Sequence, residues 1–342
     1  MYLRGMKRDG QILINENVKF NKSVLFKELW SVPWFVDGDN GSDSFSGLSA
    51  ESSKKTIQAA ITAAAREDVV YIRPKTWTSL PYSYPGLNTA YAESLIIPYA
   101  KAGLAVIGVG NQGFRGIPHG VVIRETLSAI TANLKVYAPL CDFENLVFER
   151  GGTETGGQIV FQGGTPVTYE GNGGTVYNCY FYYANGTTGP GGWGGAVMAD
   201  QVWGLTVRKC YFLGCRQGIS FQSGGASAGS FIVQKNIFAS RNTAASEIDC
   251  DIFMYTQGSV SLLIEGNLFA HLIPTLSGGG RLRYIYLTAD VRQGLVTNNH
   301  IAGVQGGTHL TAGATGSAFV FPANVSQGAN YTNGALMAET VS

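Results

Sequence analysis

Three acidic residues stand at alternate positions in Glu247-Ile248-Asp249-Cys250-Asp251-Ile252. Side chains two residues apart on a strand share a face and lie about 7 Å from one another. Asp249 and Asp251 would then be spaced like the acid and base of an inverting glycosidase, whose carboxyls leave room for a water. The same alternation turns Ile248, Cys250 and Ile252 inward and leaves Glu247, Asp249 and Asp251 outside. A competing use lies further on, where Arg281 and Arg283 repeat the same two-residue spacing. If the two segments stack, Asp249 meets Arg281 and Asp251 meets Arg283 in a surface ion-pair ladder that orients neighbours but adds little stability. The ladder is preferred, because isolated surface carboxylates far outnumber catalytic pairs. No catalytic residue is assigned, with Asp249 and Asp251 as the alternative.

A second acidic set, Asp37, Asp39 and Asp43, lies in Asp37-Gly38-Asp39-Asn40-Gly41-Ser42-Asp43 with spacing like that of a calcium loop. Loop position 12 holds Leu48 where such a loop needs a bidentate Glu, and Asp, Asn and Gly are also what tight turns select. A turn is expected here, metal binding by the three Asp being the alternative, and no cofactor is predicted. His119, His271, His300 and His309 are scattered through the chain, without the clustering of a ligand set or a base. The five cysteines, Cys141, Cys179, Cys210, Cys215 and Cys250, are odd in number and lack metal-like spacing. They are expected to be reduced and to fill small inward positions.

What positions these residues is a short returning pattern: an apolar residue, two arbitrary ones, Asn or Cys, one arbitrary, then a large apolar one. It reads Val176-Tyr177-Asn178-Cys179-Tyr180-Phe181, Val207-Arg208-Lys209-Cys210-Tyr211-Phe212, Val233-Gln234-Lys235-Asn236-Ile237-Phe238, Ile264-Glu265-Gly266-Asn267-Leu268-Phe269 and Val296-Thr297-Asn298-Asn299-His300-Ile301. A weaker copy, Phe143-Glu144-Asn145-Leu146-Val147-Phe148, lies upstream, and successive copies end 26 to 33 positions apart. Such a period marks stacked repeats. Each copy is followed by a second β-rich run, at 158–161, 196–198, 219–221, 252–254, 284–286 and 319–321. Strands this short bury no face alone, whereas parallel stacking gives every N–H and C=O a partner one turn away. At the bend inside each copy, Asn236, Asn267 and Asn299 are expected to form an internal ladder. Their amides would bond neighbouring coils and their backbones would tolerate strained dihedrals. Cys179 and Cys210 continue it as small substitutes.

These repeats resemble the right-handed parallel β-helices of the pectate-lyase-like superfamily. An upstream segment is similar to that superfamily's first coil: Phe35-Val36-Asp37-Gly38, Lys55-Thr56-Ile57-Gln58-Ala59-Ala60-Ile61 and Val69-Val70-Tyr71-Ile72-Arg73-Pro74. Lys75 departs from it, where relatives usually carry Gly. The resemblance implies an all-β right-handed solenoid with an N-terminal capping α-helix. In residues 53–66, Ile57, Ala60, Ile61 and Ala64 recur at helical spacing, with Ser52 or Ser53 to cap the start. That helix would cover the open end of the stack. The superfamily includes polysaccharide lyases, glycoside hydrolases and many bacteriophage tail and capsid proteins, so it is specific for fold and weak for activity.

A solenoid absorbs a length of 342 residues in one continuous stack with short ends, and 46 glycines against 11 prolines suit many tight turns. A net charge of +1 with 14% charged residues gives no case for nucleic acid, and no apolar run reaches the length of a membrane span. We expect a docking arm at 1–33 whose Ile12, Ile14, Val18, Phe20, Leu25, Phe26 and Trp30 need burial, on a partner or, as the alternative, as a cap on the chain's own first coil. A β-helix at 34–322 and an extended tail at 323–342 follow. Residues 1–10 lack the apolar core of a secretory signal, which cellular pectate lyases normally carry, so a virion location after synthesis in the host cytoplasm is expected. The expected function is that of a non-enzymatic bacteriophage virion structural protein, a capsid decoration or cement protein. Its partners would be the major capsid protein or tail subunits, and it would form a homo-oligomer such as a trimer. The alternative is a tailspike-like polysaccharide depolymerase or a glycan-binding tail protein, with Tyr177, Tyr180, Tyr182, Tyr183, Trp193 and Trp203 as an interaction surface.

Overall fold

A computed structural model describes residues 7–8, 11–12, 31–76, 90–110, 120–124, 132–149, 157–163, 173–182, 195–200, 202–215, 217–223, 230–239, 250–256, 261–270, 283–287, 293–302, 319–320, 325–332 and 335–336. The chain winds through three sheets in turn and returns to the first, so that strands adjacent in a sheet belong to successive coils. Sheet I has ten strands, from Pro33–Asp37 to Val325–Gln327. Sheet II has ten, from Ala90–Ala92 to Ala335–Leu336, and sheet III has eight, from Leu95–Ile97 to Phe319–Val320. Pairing within them is parallel except for the last two strands of sheet II. This is a parallel β-helix.

The sequence reading required at least two strands per repeat; the structure has three, because the repeated pattern is itself two strands joined by a bend. Thr175–Tyr177 lies in sheet I and Tyr180–Tyr182 in sheet II. The residue between pattern positions one and four that turns the chain is left-handed: Asn145, Asn178, Lys209, Lys235, Gly266 and Asn298 have φ of 57°, 51°, 54°, 55°, 65° and 55°. The expectation that the ladder Asn carries the strained dihedral is thus displaced by one residue. The ladder position serves for hydrogen bonding alone.

The last apolar residue of every copy points inward and stacks on its neighbours. Phe148, Phe181, Phe212, Phe238 and Phe269 form a column with centroids 5.4, 4.9, 4.7 and 5.1 Å apart and interplanar angles of 7–12°. Ile123 precedes the column and Ile301 follows it in register. All seven are fully buried.

Helix α1 (Ile57–Ala63) is shorter than the periodicity predicts, and its N-cap is Thr56, not Ser52 or Ser53. Thr56 Oγ1 accepts from Ala59 N at 3.2 Å, and buried Ile57, Ala60 and Ile61 pack on the first strands of sheets I and III. The free edge of Pro33–Asp37 is covered by the chain around Lys54, whose N donates to Phe35 O and whose O accepts from Asp37 N. That removes a pairing edge.

The tail boundary at 322 falls too early. Val325–Gln327 extends sheet I and Tyr331–Thr332 extends sheet II, so the stack continues past the proposed tail start. Of the arm, Lys7–Arg8 and Gln11–Ile12 form an antiparallel pair of their own. Ile14, Val18, Phe20, Leu25, Phe26 and Trp30 lie outside the described residues. No described helix is long and apolar enough to cross a membrane.

Candidate functional site

The predicted ladder residues come together at the bend between sheets I and II. Asn267 Oδ1 accepts from Asn236 N and Asn236 Nδ2, both at 3.0 Å, and Asn299 Oδ1 does the same for Asn267 at 3.0 and 2.9 Å. Each Nδ2 also donates to a carbonyl of the preceding coil: Val207 O, Val233 O and Ile264 O for Asn236, Asn267 and Asn299. Asn330 adds a further rung that the sequence reading missed. Cys210 N donates to Asn236 Oδ1, and the thiols of Cys210 and Cys179 point at Val176 O and Phe143 O, where an Asn amide would point. The cysteines therefore keep the donor and lose the acceptor. All five cysteines are buried thiols outside any disulfide, and burial pushes the Cys179 thiol well up. They are structural thiols, inert by placement.

The acidic loop is also structural. Asp37 accepts from Asp39 N, Asn40 N, Asn40 Nδ2 and Arg73 Nη1. Asp43 accepts from Lys55 N, Thr56 N and Thr56 Oγ1, and Asp39 from Thr76 N and Thr76 Oγ1. Each of the three carboxylates accepts its own N–H or O–H donors, as side chains of tight turns do. Among the described residues no group of three His, Cys, Asp or Glu is placed to hold a metal ion.

Glu93 accepts from Ile57 N at 3.0 Å and Gln58 N at 2.9 Å, two of the orphan donors that open α1. Burial pushes Glu93 up, against those two bonds. At Asp43 burial also pushes up, but the bonds from Thr56 and Lys55 outweigh it and hold the carboxyl below its ordinary value. Opposite pH responses follow. The stability that Asp43 contributes is present above the unfolded Asp value of about 3.9 and is lost as pH falls through its lower folded value. For Glu93, ionisation opposes folding, so stability is lost as pH rises from the unfolded Glu value of about 4.3 through the raised folded one. Calorimetric scans should therefore show Glu93→Gln gaining on the parent as pH rises above about 4, and Asp43→Asn less stable than the parent by a constant amount above about pH 4, the gap closing as pH falls below it. Parallel curves for all three proteins would count against these assignments.

The Asp249 and Asp251 alternative needs correction. Asp249 lies outside the described residues, and Asp251 is buried at 2% exposure, not outward. It sits at the corner where the chain enters sheet III, and there strict alternation fails: Cys250, Asp251 and Ile252 are all buried. Of the expected ladder, Asp249 and Arg281 lie outside the described residues. Register places Arg283 beside Cys250 and hence Tyr284 beside Asp251, one residue out of step with the predicted pairing. The acid that was passed over is Asp200, on the outward side of sheet III between Gln162 and Gln222, where burial pushes it up. Its signal was the alternation Val197-Met198-Ala199-Asp200.

A cationic edge lies outside the Asn ladder. The outward column of sheet I runs Glu144, Tyr177, Arg208, Gln234, Glu265, and the left-handed column beside it runs Asn145, Asn178, Lys209, Lys235, Gly266. Lys209 Nζ donates to Tyr177 OH at 2.9 Å and lies 5.2 Å from that ring's centre. On the sheet II side Tyr180 and Tyr211 stack at 4.7 Å. Trp203 is exposed, while Tyr183 and Trp193 lie outside the described residues.

Three parallel sheets and an internal Asn ladder define the class of protein, a parallel β-helix. Similar solved structures share that architecture. They are a pectin methylesterase from Aspergillus niger in deglycosylated form (13% identity, TM-score 0.39, covering 89% of this chain and 87% of that one), a pectate lyase (14%, 0.43, 87% and 79%) and a rhamnogalacturonan lyase (14%, 0.37, 80% and 74%). At these TM-scores the class rests on the sheets themselves. No family model matches the sequence, and no curated protein is significantly similar to it.

Proposed function

We propose that the chain is a non-enzymatic structural protein of a bacteriophage virion, a decoration or cement subunit that docks on other virion proteins. The supporting observation is the use made of its carboxylates. Asp37, Asp39, Asp43, Glu93 and Glu149 all accept fixed donors, the last from Arg124 at 2.5 Å, and so brace the scaffold. Asp68 is engaged likewise by Val32 N, Trp34 Nε1 and Ala65 N. A braced, laddered rod with variable loops suits a subunit that must hold its shape while its surface binds. Immunogold labelling of purified particles tests the reading directly: label on the capsid or tail is expected, and unlabelled particles would sink it.

Asp200 favours a second reading, a tailspike-like depolymerase, because a half-buried carboxyl raised by burial suits a general acid. New reducing ends or unsaturated uronates after incubation with host capsule or pectate, abolished in Asp200→Asn, would replace the first reading with this one.

A further inference from the structure

The six left-handed bends that join sheet I to sheet II demand the same backbone, yet their residues differ. Asn145, Asn178, Gly266 and Asn298 are types that tolerate a positive φ. Lys209 and Lys235, on consecutive coils, are not. Stacked coils place the backbones of these two exposed lysines about 5 Å apart along the edge, with Lys209 Nζ reaching back one coil to Tyr177 OH. Arg208 adds a third cation, and its Nε is shielded from water with no hydrogen-bond acceptor among the described residues. Among the described residues no ion pair joins the flanking acids to the group. Glu144 stands two coils from Arg208, and Glu265, one coil from Lys235, accepts from Gln234 Nε2 at 2.7 Å. Strained backbone and unpaired charge, both avoidable with Asn, are held where the side chains face solvent.

We propose that Arg208, Lys209 and Lys235 form a docking strip for an acidic segment of another protein subunit. The inference rests on the reading of this chain as a docking protein and names the edge that docks. Charge complementarity selects an anionic partner. The aromatic geometry selects protein over sugar, because the tyrosines beside the strip have their faces in use: Tyr180 against Tyr211, and Tyr177 under Lys209. The Tyr177 hydroxyl is taken by Lys209 and the Tyr180 hydroxyl is buried, so what they present is ring edges, the contact chemistry of protein interfaces, in which Tyr and Arg are enriched.

The test measures binding of a fluorescent deca-glutamate peptide, and of a fluorescent oligogalacturonate, to the purified full chain by anisotropy at low and physiological salt. The peptide should bind, more weakly as salt rises, and Lys209→Asn with Lys235→Asn should weaken it at least tenfold. The same double variant should melt at or above the parent temperature, since Asn suits the left-handed bend. Lys135→Gln, a lysine on sheet III, should bind like the parent. No peptide binding, equal binding by the double variant, equal weakening by Lys135→Gln, or tighter binding of the oligogalacturonate than of the peptide would each overturn the strip. Failure here is separable from failure of the virion reading. Unlabelled particles with lysine-dependent peptide binding sink only the latter, and labelled particles with lysine-independent binding sink only the former.

Discussion

Asn267→Ala is expected to lower the free energy of unfolding by about 4 kcal/mol, a large effect for one polar side chain. The side chain makes four bonds: Oδ1 accepts from Asn236 N and Nδ2, and Nδ2 donates to Val233 O and Asn299 Oδ1. Removing it orphans the buried Asn236 N–H outright, at roughly 1–3 kcal/mol, and takes about 1 kcal/mol for each bond whose other atoms keep a partner. Asn236 Nδ2 retains Val207 O, and Asn299 Oδ1 retains Asn267 N, so those losses are partial. Asn267→Cys should lose about half as much, because a thiol there repeats the geometry of Cys210 and Val176 O but gives Asn236 N no good acceptor. Urea denaturation followed by two optical probes measures both, since a solenoid need not unfold in one step. A loss below about 1 kcal/mol for the Ala variant would mean the ladder is filler rather than a brace.

The ladder was legible because like residues recur at a steady period, so type and spacing together specified which positions stack. Where either failed, so did the reading. Asn330 was hidden because its copy, Gln327-Gly328-Ala329-Asn330-Tyr331-Thr332, has polar residues where the others have apolar ones, although its backbone keeps register with the coil before it. Asp251 was misplaced because period-two alternation holds only within a strand, and this residue sits at a corner. Partners of Asp43 and Glu93 lie 12 to 36 positions away, joined by a fold that brings unrelated segments together and leaves no local signal. The cationic strip was invisible for a different reason. Its positions share a dihedral, not a residue type, and Lys209 and Lys235 stand out only against the Asn and Gly that occupy the same bend elsewhere.

Phe212→Ala should cost about 3–5 kcal/mol, the range for deleting a fully buried ring. Phe212 is the middle of the column, stacked on Phe181 at 4.9 Å and on Phe238 at 4.7 Å. Its removal opens a void between two rings that cannot close, because each is held at its own coil by backbone pairing on both sides. Phe212→Leu restores much of the volume but not the stacking, so a loss of about 1–2 kcal/mol is expected. Because Phe212 and Phe238 share one contact, the double Ala variant should lose less than the two single losses added together. Additive losses would argue that each ring is stabilised by its own coil and not by the column. The consequence reaches the surface. Lys209 and Lys235 lie three residues before Phe212 and Phe238 on the same two coils, so the ring contact helps set the spacing of the proposed strip. Phe212→Leu, which keeps the fold, should then weaken binding of the glutamate peptide by a few-fold with all three cations in place, a change that surface charge alone does not produce.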